Sequence, residues 1–208
     1  MALYDERRFK FVMLTMGLTL AGSAISAVIH GGWVSATVLN VAVDLLILGY
    51  IIRNRDGLLG RLLLMGFVGG LVELLFADPW AVRSGTLVYQ AAGPFINDSP
   101  LYMPLGWAYV LMQIGYIAWW VLESRGLMPA IVAATILGGT MIPVYEALAK
   151  SANWWIYQNV PMIYGAPYYV ILGEALIGMV LPFIVRPVAA RGLAWSVMLG
   201  IALGCWTW

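Results

Sequence analysis

Long runs of apolar residues, separated by short clusters of polar, proline and glycine residues, dominate the chain. The runs are near-continuous rather than alternating, which is typical of membrane helices and not of the strands of a membrane barrel. Because a helix needs about 20 apolar residues to cross a bilayer, the runs predict an all-α, polytopic membrane fold with seven transmembrane helices. Their predicted bounds are 10–30, 33–52, 59–77, 103–122, 127–148, 166–185 and 192–208. Two long connections, 78–102 and 149–165, interrupt the series.

The composition supports a membrane location. Hydrophobic residues make up 62 % of the chain and charged residues only 10 %, whereas a soluble domain is about 25 % charged. The sequence therefore predicts an integral membrane protein with one transmembrane domain over residues 1–208. The first apolar run is longer than the core of a signal peptide and more runs follow it, so we expect it to be retained as the first membrane helix.

The basic residues predict the orientation of the helices. Cytoplasmic ends of membrane helices carry most of the lysine and arginine. With seven spans and the N-terminus inside, only Arg83 and Lys150 fall on the outer side. The inner side then holds the other basic residues: Arg7, Arg8, Lys10, Arg53, Arg55, Arg61, Arg125, Arg186 and Arg191. This distribution predicts an inside N-terminus and an outside C-terminus, in the cytoplasmic (inner) membrane if the chain is bacterial.

Two classes of function are disfavoured by residue counts. The chain has one histidine, His30, and one cysteine, Cys205, which is too few for a histidine- or cysteine-based metal site. We expect no metal or organic cofactor. The net charge of +1 gives no electrostatic footprint for nucleic acid, so the expected partners are membrane lipids and a lipophilic substrate.

Five carboxylic side chains lie in or next to the apolar runs, where an ionisable group is costly and marks a functional site by default. Asp44 falls near the middle of the second predicted helix. The other four fall in the outer half, beneath the two long connections, and are the candidate catalytic residues: Glu73, Asp78, Glu146 and Glu174. One interpretation is that each is neutral and only holds helices together. The other is acid chemistry, because a buried carboxyl that stays protonated is a proton donor.

Aromatic side chains crowd the same two connections. The candidate substrate-binding residues are Tyr89, Trp107, Trp154, Trp155, Tyr157, Tyr164 and Tyr168. Tryptophan and tyrosine gather at membrane interfaces without a catalytic role. Aromatic rings also stabilise a nearby cation, so with a buried acid they suit protonation of an olefin to a carbocation. A membrane-dissolved isoprenoid or carotenoid would be the substrate of such chemistry.

Two segments, residues 71–110 and 144–174, each place an acid at a helix end before a loop rich in aromatic residues, glycine and proline. In matching order they resemble the membrane-embedded carotenoid-biosynthesis family that includes carotenoid hydratases. The positions that carry this resemblance are Glu73, Tyr89, Gly93, Pro94, Pro104, Trp107, Glu146, Trp155, Tyr164, Gly165 and Pro167. More weakly, the size and the intramembrane acids are similar to those of small seven-helix membrane terpene cyclases.

The resemblance implies hydration of a terminal double bond, with cyclisation as the alternative. It implies Glu73 or Glu146 as the general acid, and loops that fold over the pocket at Gly93 and Gly165. The chain departs from the family at Glu174, where the family tends to have tryptophan. We expect Glu174 to share the proton or to orient water.

Two other classes of protein stay open at the level of the sequence. A proton-coupled transporter would use the same acids as a relay, and Asp44 near mid-membrane favours it. Transporters often contain internal repeats, and we expect none here. A non-catalytic subunit would need none of the carboxyls. A retinal-binding photoreceptor is disfavoured because no lysine follows Lys150.

Overall fold

The computed structural model describes residues 6–90 and 93–206, and this part of the chain is mainly helical. Its helices are α1 (Glu6–Ile29), α2 (Gly32–Asn54), α3 (Gly57–Leu75), α4 (Ala77–Arg83), α5 (Tyr102–Arg125), α6 (Leu127–Ser151), α7 (Tyr168–Ala190) and α8 (Leu193–Trp206). Six helical segments are long and apolar enough to cross a membrane. The expected all-α membrane fold is therefore confirmed, with six such helical segments among the described residues.

The helices differ from the expected spans at two places. The third span continues past a break at Phe76 into α4, so Asp78 lies inside a short helix rather than at the end of α3. Pro79 fits there because the first turn of a helix needs no proline N–H. The last apolar run gives α8, with 14 residues, or about 21 Å at 1.5 Å per residue. The expected end of that run, at residues 207–208, lies outside the described residues.

The two long connections contain short strands that the apolar pattern did not predict. Strand β1 (Leu87–Tyr89) pairs antiparallel with β4 (Trp155–Tyr157) and so joins the two connections. Each connection then forms a small hairpin. In the first, β2 (Phe95–Ile96) pairs with β3 (Ser99–Pro100), and in the second, β5 (Met162–Ile163) pairs with β6 (Ala166–Pro167). We call these six strands the roof.

Helices α6 and α7 approach each other closely through two glycines. A Cβ atom built on Gly178 would lie 2.2 Å from the carbonyl oxygen of Ala134, and one on Gly138 would lie 2.5 Å from that of Glu174. Only residues without a side chain allow backbones to come so near. This contact fixes the position of α7, and therefore of Glu174, against α6.

The chain contains an internal repeat, contrary to the expectation from the sequence. Residues 94–108 and 161–175 align without a gap, 67 positions apart, and seven of the fifteen residues are identical. In both copies the proline carbonyl that opens the segment, at Pro94 and Pro161, accepts a hydrogen bond from the backbone N–H seven residues later. The repeated unit runs from α3 through β1 and a hairpin to α5, and again from α6 through β4 and a hairpin to α7. The two units run in the same direction, because their strands meet in one roof.

Candidate functional site

A cavity of about 450 Å³ lies beneath the roof, and its wall includes residues of α3 to α7 as well as β1 and β4. All four candidate catalytic carboxyls line it: Glu73, Asp78, Glu146 and Glu174. Nine aromatic residues also line the wall: Trp80, Tyr89, Trp107, Tyr109, Tyr145, Trp154, Trp155, Tyr157 and Tyr169. Among the described residues that line the cavity there is no lysine, arginine or histidine. The cavity therefore brings acids and rings together without a basic partner.

Asp78 is a buried carboxyl held by two hydroxyl donors. The phenol of Tyr89, on β1, donates a hydrogen bond of 2.5 Å to its Oδ2 atom. The hydroxyl of Ser99, on β3, donates to the same oxygen. Ser99 is fully buried, and its role was not visible in the sequence because a serine in a turn-rich loop is ordinary. These donors favour the carboxylate form of Asp78, whereas its burial favours the neutral form.

Glu146 is held by one donor from the roof. The indole Nε1–H of Trp155 donates a hydrogen bond of 2.6 Å to its Oε2 atom. Glu146 lies near the end of α6 and Trp155 begins β4, so the tight turn at Ala152 and Asn153 brings them together. Asn153 adopts a φ of 58°, a left-handed conformation that asparagine tolerates.

Glu73 and Glu174 have different surroundings. In the part of the chain that the structure describes, neither carboxyl accepts a hydrogen bond. Both are enclosed by the protein and lie near other carboxyls. Glu73 lies within electrostatic range of Asp78, Glu146 and Glu174. Four like charges cannot all be present in such a space. The arrangement therefore separates two carboxyls held by donors from two that are free to carry a proton.

The tyrosines on the two paired strands line the cavity beside these acids. Burial raises the pKa of Tyr157 well above its usual range, and the nearby carboxyl of Glu146 adds to the effect. Burial likewise raises the pKa of Tyr89, with the charge of Asp78 as the next cause. Both phenols therefore stay protonated, and that of Tyr89 donates its hydrogen bond to Asp78.

Two predicted wall residues lie elsewhere. Tyr164 is 80 % exposed at the turn between β5 and β6, and Tyr168 is 57 % exposed at the first position of α7. Neither lines the cavity. Tyr164 adopts a φ of 52°, so the hairpin turn directs its side chain away. Tyr169, which the sequence analysis did not select, lines the wall instead.

The cavity extends to a polar group between α2 and α5. Asn40 and Tyr109 both line the wall. The hydroxyl of Tyr109 donates a hydrogen bond of 2.7 Å to Oδ1 of Asn40, whose amide donates to the carbonyl of Tyr102 at 3.0 Å. Asp44 lies one turn further along α2 and is buried, but it does not line the cavity. Its Oδ1 atom has no hydrogen-bond partner among the described residues.

The repeat relates the two halves of the site to each other. Glu73 and Glu146 occupy the same place near the end of the first helix of each unit. Tyr89 and Tyr157 each end one of the two paired strands. Trp107 and Glu174 occupy aligned positions, 67 residues apart, but differ in chemistry. A tryptophan in the first unit thus corresponds to an acid in the second, and both line the cavity. The two halves of the site are therefore similar but differ in two acids: Glu174 replaces a tryptophan in the second unit, and Asp78 lies on α4, a helix that the second unit lacks.

Six long apolar helices around such a cavity define an integral membrane protein of the all-helical class. Comparison with known families adds a more particular result. A family model described as a domain of unknown function, DUF6989, matches residues 75–208. The chain belongs to that family, and the match covers the roof, α4 to α8 and three of the four cavity carboxyls. No curated protein and no solved structure matches the chain.

Proposed function

We propose that this protein is an acid catalyst that acts on a membrane-dissolved isoprenoid or carotenoid, with hydration of a terminal double bond as the reaction and cyclisation as the alternative. The observation that carries the proposal is the cavity wall, in which four carboxyls and nine aromatic rings meet with no basic group among the described residues. A protonated carboxyl donates the proton, and the rings stabilise the cation that results. The topology that we propose has seven crossings with the N-terminus inside and the C-terminus outside, in the cytoplasmic (inner) membrane if the chain is bacterial.

The hydrogen bonds support distinct roles for the carboxyls. Glu73, which has no donor in the described part of the chain, is our choice for the general acid. Its proton forms a new C–H bond with the olefin and leaves a tertiary carbocation. Asp78, whose charge Tyr89 and Ser99 stabilise, faces that cation as a carboxylate.

The second half of the reaction differs between the two outcomes. In hydration, a water oxygen bonds to the carbocation and the water gives up a proton to the Glu174 carboxylate. In cyclisation, a second double bond of the substrate attacks the cation, and a carbon beside the new cation then loses a proton to the same carboxylate. Proton return from Glu174 to Glu73 completes either cycle, and both carboxyls line the same cavity.

Co-expression with a polyprenyl or carotenoid pathway tests the proposal. We expect extracted lipids to gain the mass of one water in hydration, or to change retention at unchanged mass in cyclisation. Glu73→Gln and Glu174→Gln remove a proton site at nearly constant shape and should abolish the product. Glu123→Gln, at the other end of α5 and outside the cavity, is the matched control. An unchanged lipid profile with all supplied precursors would refute the reaction.

A proton-coupled transporter is the second candidate, and two observations favour it. The internal repeat is an architecture common among transporters, and buried Asp44 extends the set of acids toward the middle of α2. Such a protein would move a lipophilic solute and leave it chemically unchanged. Proteoliposomes with an imposed pH gradient separate the two candidates, because only a transporter changes the lumenal pH when the solute is added.

A further inference from the structure

The described wall of the cavity contains acidic side chains and no basic side chain that could neutralise them. Four carboxyls line it, and no lysine, arginine or histidine does so within the described ranges 6–90 and 93–206. An anion would be repelled there. A positively charged ligand is the one whose charge matches the wall.

The wall also determines which kind of cation fits. Within the described residues no group of three or more histidine, cysteine or acidic side chains has the geometry of a metal site. Nine aromatic rings contribute to the lining, and rings hold organic cations through their negative faces. The volume of about 450 Å³ is within the range of small-molecule pockets.

Two aromatic residues of the cavity wall also reach the surface of the protein. Trp80 on α4 and Tyr169 on α7 line the cavity and are nevertheless 62 % and 46 % exposed. Their side chains therefore border both the interior and the surface of the helical bundle. A ligand with a charged head and an apolar body can place the head among the acids and the body along these rings.

We propose that the cavity binds lipophilic organic cations, such as ammonium or phosphonium ions, with the charged centre beside the carboxyls of Glu73 and Glu174. Those two carboxyls have no donor in the described structure, whereas Asp78 and Glu146 are engaged by the roof. The binding depends on the cavity wall and does not require the proposed reaction. A stable cation of this kind would also occupy the place of the proposed carbocation.

A pair of probes with the same shape and opposite charge tests this directly. Tetraphenylphosphonium and tetraphenylborate are added to the full chain in lipid nanodiscs, and binding is measured by equilibrium dialysis against empty nanodiscs. We expect saturable binding of the phosphonium and none of the borate. The cation displaces the protons of these two carboxyls, and glutamine cannot form the charge pair that results. Glu73→Gln and Glu174→Gln should therefore each weaken phosphonium binding roughly tenfold. Glu123→Gln should bind like the parent chain.

A second measurement uses the unmodified chain and so does not depend on the folding of a variant. A lipid-soluble carbodiimide labels protonated carboxyls in membranes, and mass analysis of peptides locates the label. Phosphonium should displace the protons of Glu73 and Glu174 and so protect both from the label, and borate should not. Equal labelling with both probes, or equal binding of both, overturns the proposal.

The outcomes separate this inference from the proposed reaction. Phosphonium binding without any lipid product would support the site and count against the reaction. Product formation without phosphonium binding would overturn the site and leave the reaction standing.

Discussion

Substitution of Gly178 by alanine tests whether the close approach of α6 and α7 stabilises the fold. The added Cβ atom would lie 2.2 Å from the oxygen and 2.7 Å from the carbon of the Ala134 carbonyl, and 3.0 Å from the Cα atom of Thr135. All three are backbone atoms, so no side-chain rotation can relieve the overlap. The helices must separate by roughly 1 Å to reach ordinary contact distance.

The size of the effect follows from two opposing terms. Overpacking a tight contact costs about 1–3 kcal/mol, while replacing a helical glycine by alanine gains up to about 1 kcal/mol. Because the overlap is with backbone atoms, the cost lies in the upper part of its range, at about 2–3 kcal/mol. We therefore expect Gly178→Ala to lower the free energy of unfolding by about 1–2 kcal/mol. The control is Gly49→Ala in α2, where nothing lies within 4 Å of the added atom. That variant should be unchanged or slightly stabilised.

The assay is equilibrium unfolding of both variants in mixed micelles, followed by tryptophan fluorescence. Because Glu174 lies one turn before Gly178 on α7, Gly178→Ala should also weaken phosphonium binding, which Gly49→Ala should not. Identical unfolding curves for the two variants would show that the contact between α6 and α7 does not stabilise the fold as argued.

Three further predictions concern hydrogen bonds and ionisation. Tyr109→Phe leaves Oδ1 of Asn40 without its donor, and the same unfolding assay should show a loss of about 1–3 kcal/mol; no loss would mean that water replaces the phenol. Asp56→Ala removes the N-cap of α3 and one ion-pair partner of Arg8, and it should lower the free energy of unfolding by about 1–2 kcal/mol. Asp56→Asn should retain most of the cap. Equal losses in the two variants would assign the effect to the ion pair. Burial raises the pKa of Tyr157 in the folded chain. The contribution of the neutral phenol to stability is therefore complete below pH 10 and is lost as the pH rises further. Tyr157→Phe should make the alkaline loss of stability shallower by about 1.4 kcal/mol per pH unit, and a pH series of unfolding curves measures this slope.

The membrane helices could be predicted from the sequence because each apolar run is a local signal. The predicted and observed bounds of α2 and α6 differ by a few residues at most. The convergence of the acids also had a local cause, since Glu73 and Glu146 lie near helix ends that precede long connections. Helices that enter a shared roof place such ends close together.

The roof could not be predicted in the same way. Strands of two and three residues carry almost no periodicity, and the pairing of Val88 with Ile156 joins residues far apart in sequence. The roles of Ser99 and Tyr164 follow from that pairing and from the hairpin turns. The internal repeat is different, because its signal is present in the sequence and becomes visible when the chain is aligned with itself.

The ladder between β1 and β4 makes the two copies of the repeat mechanically dependent on each other. Each copy contributes a single three-residue strand, and such a strand has no stable partner within its own copy. The two connections are thus tied into one cover that cannot lift at only one side without breaking the ladder. For the lipophilic ligand that we propose, we therefore expect entry at the side, past Trp80 and Tyr169, rather than through the cover.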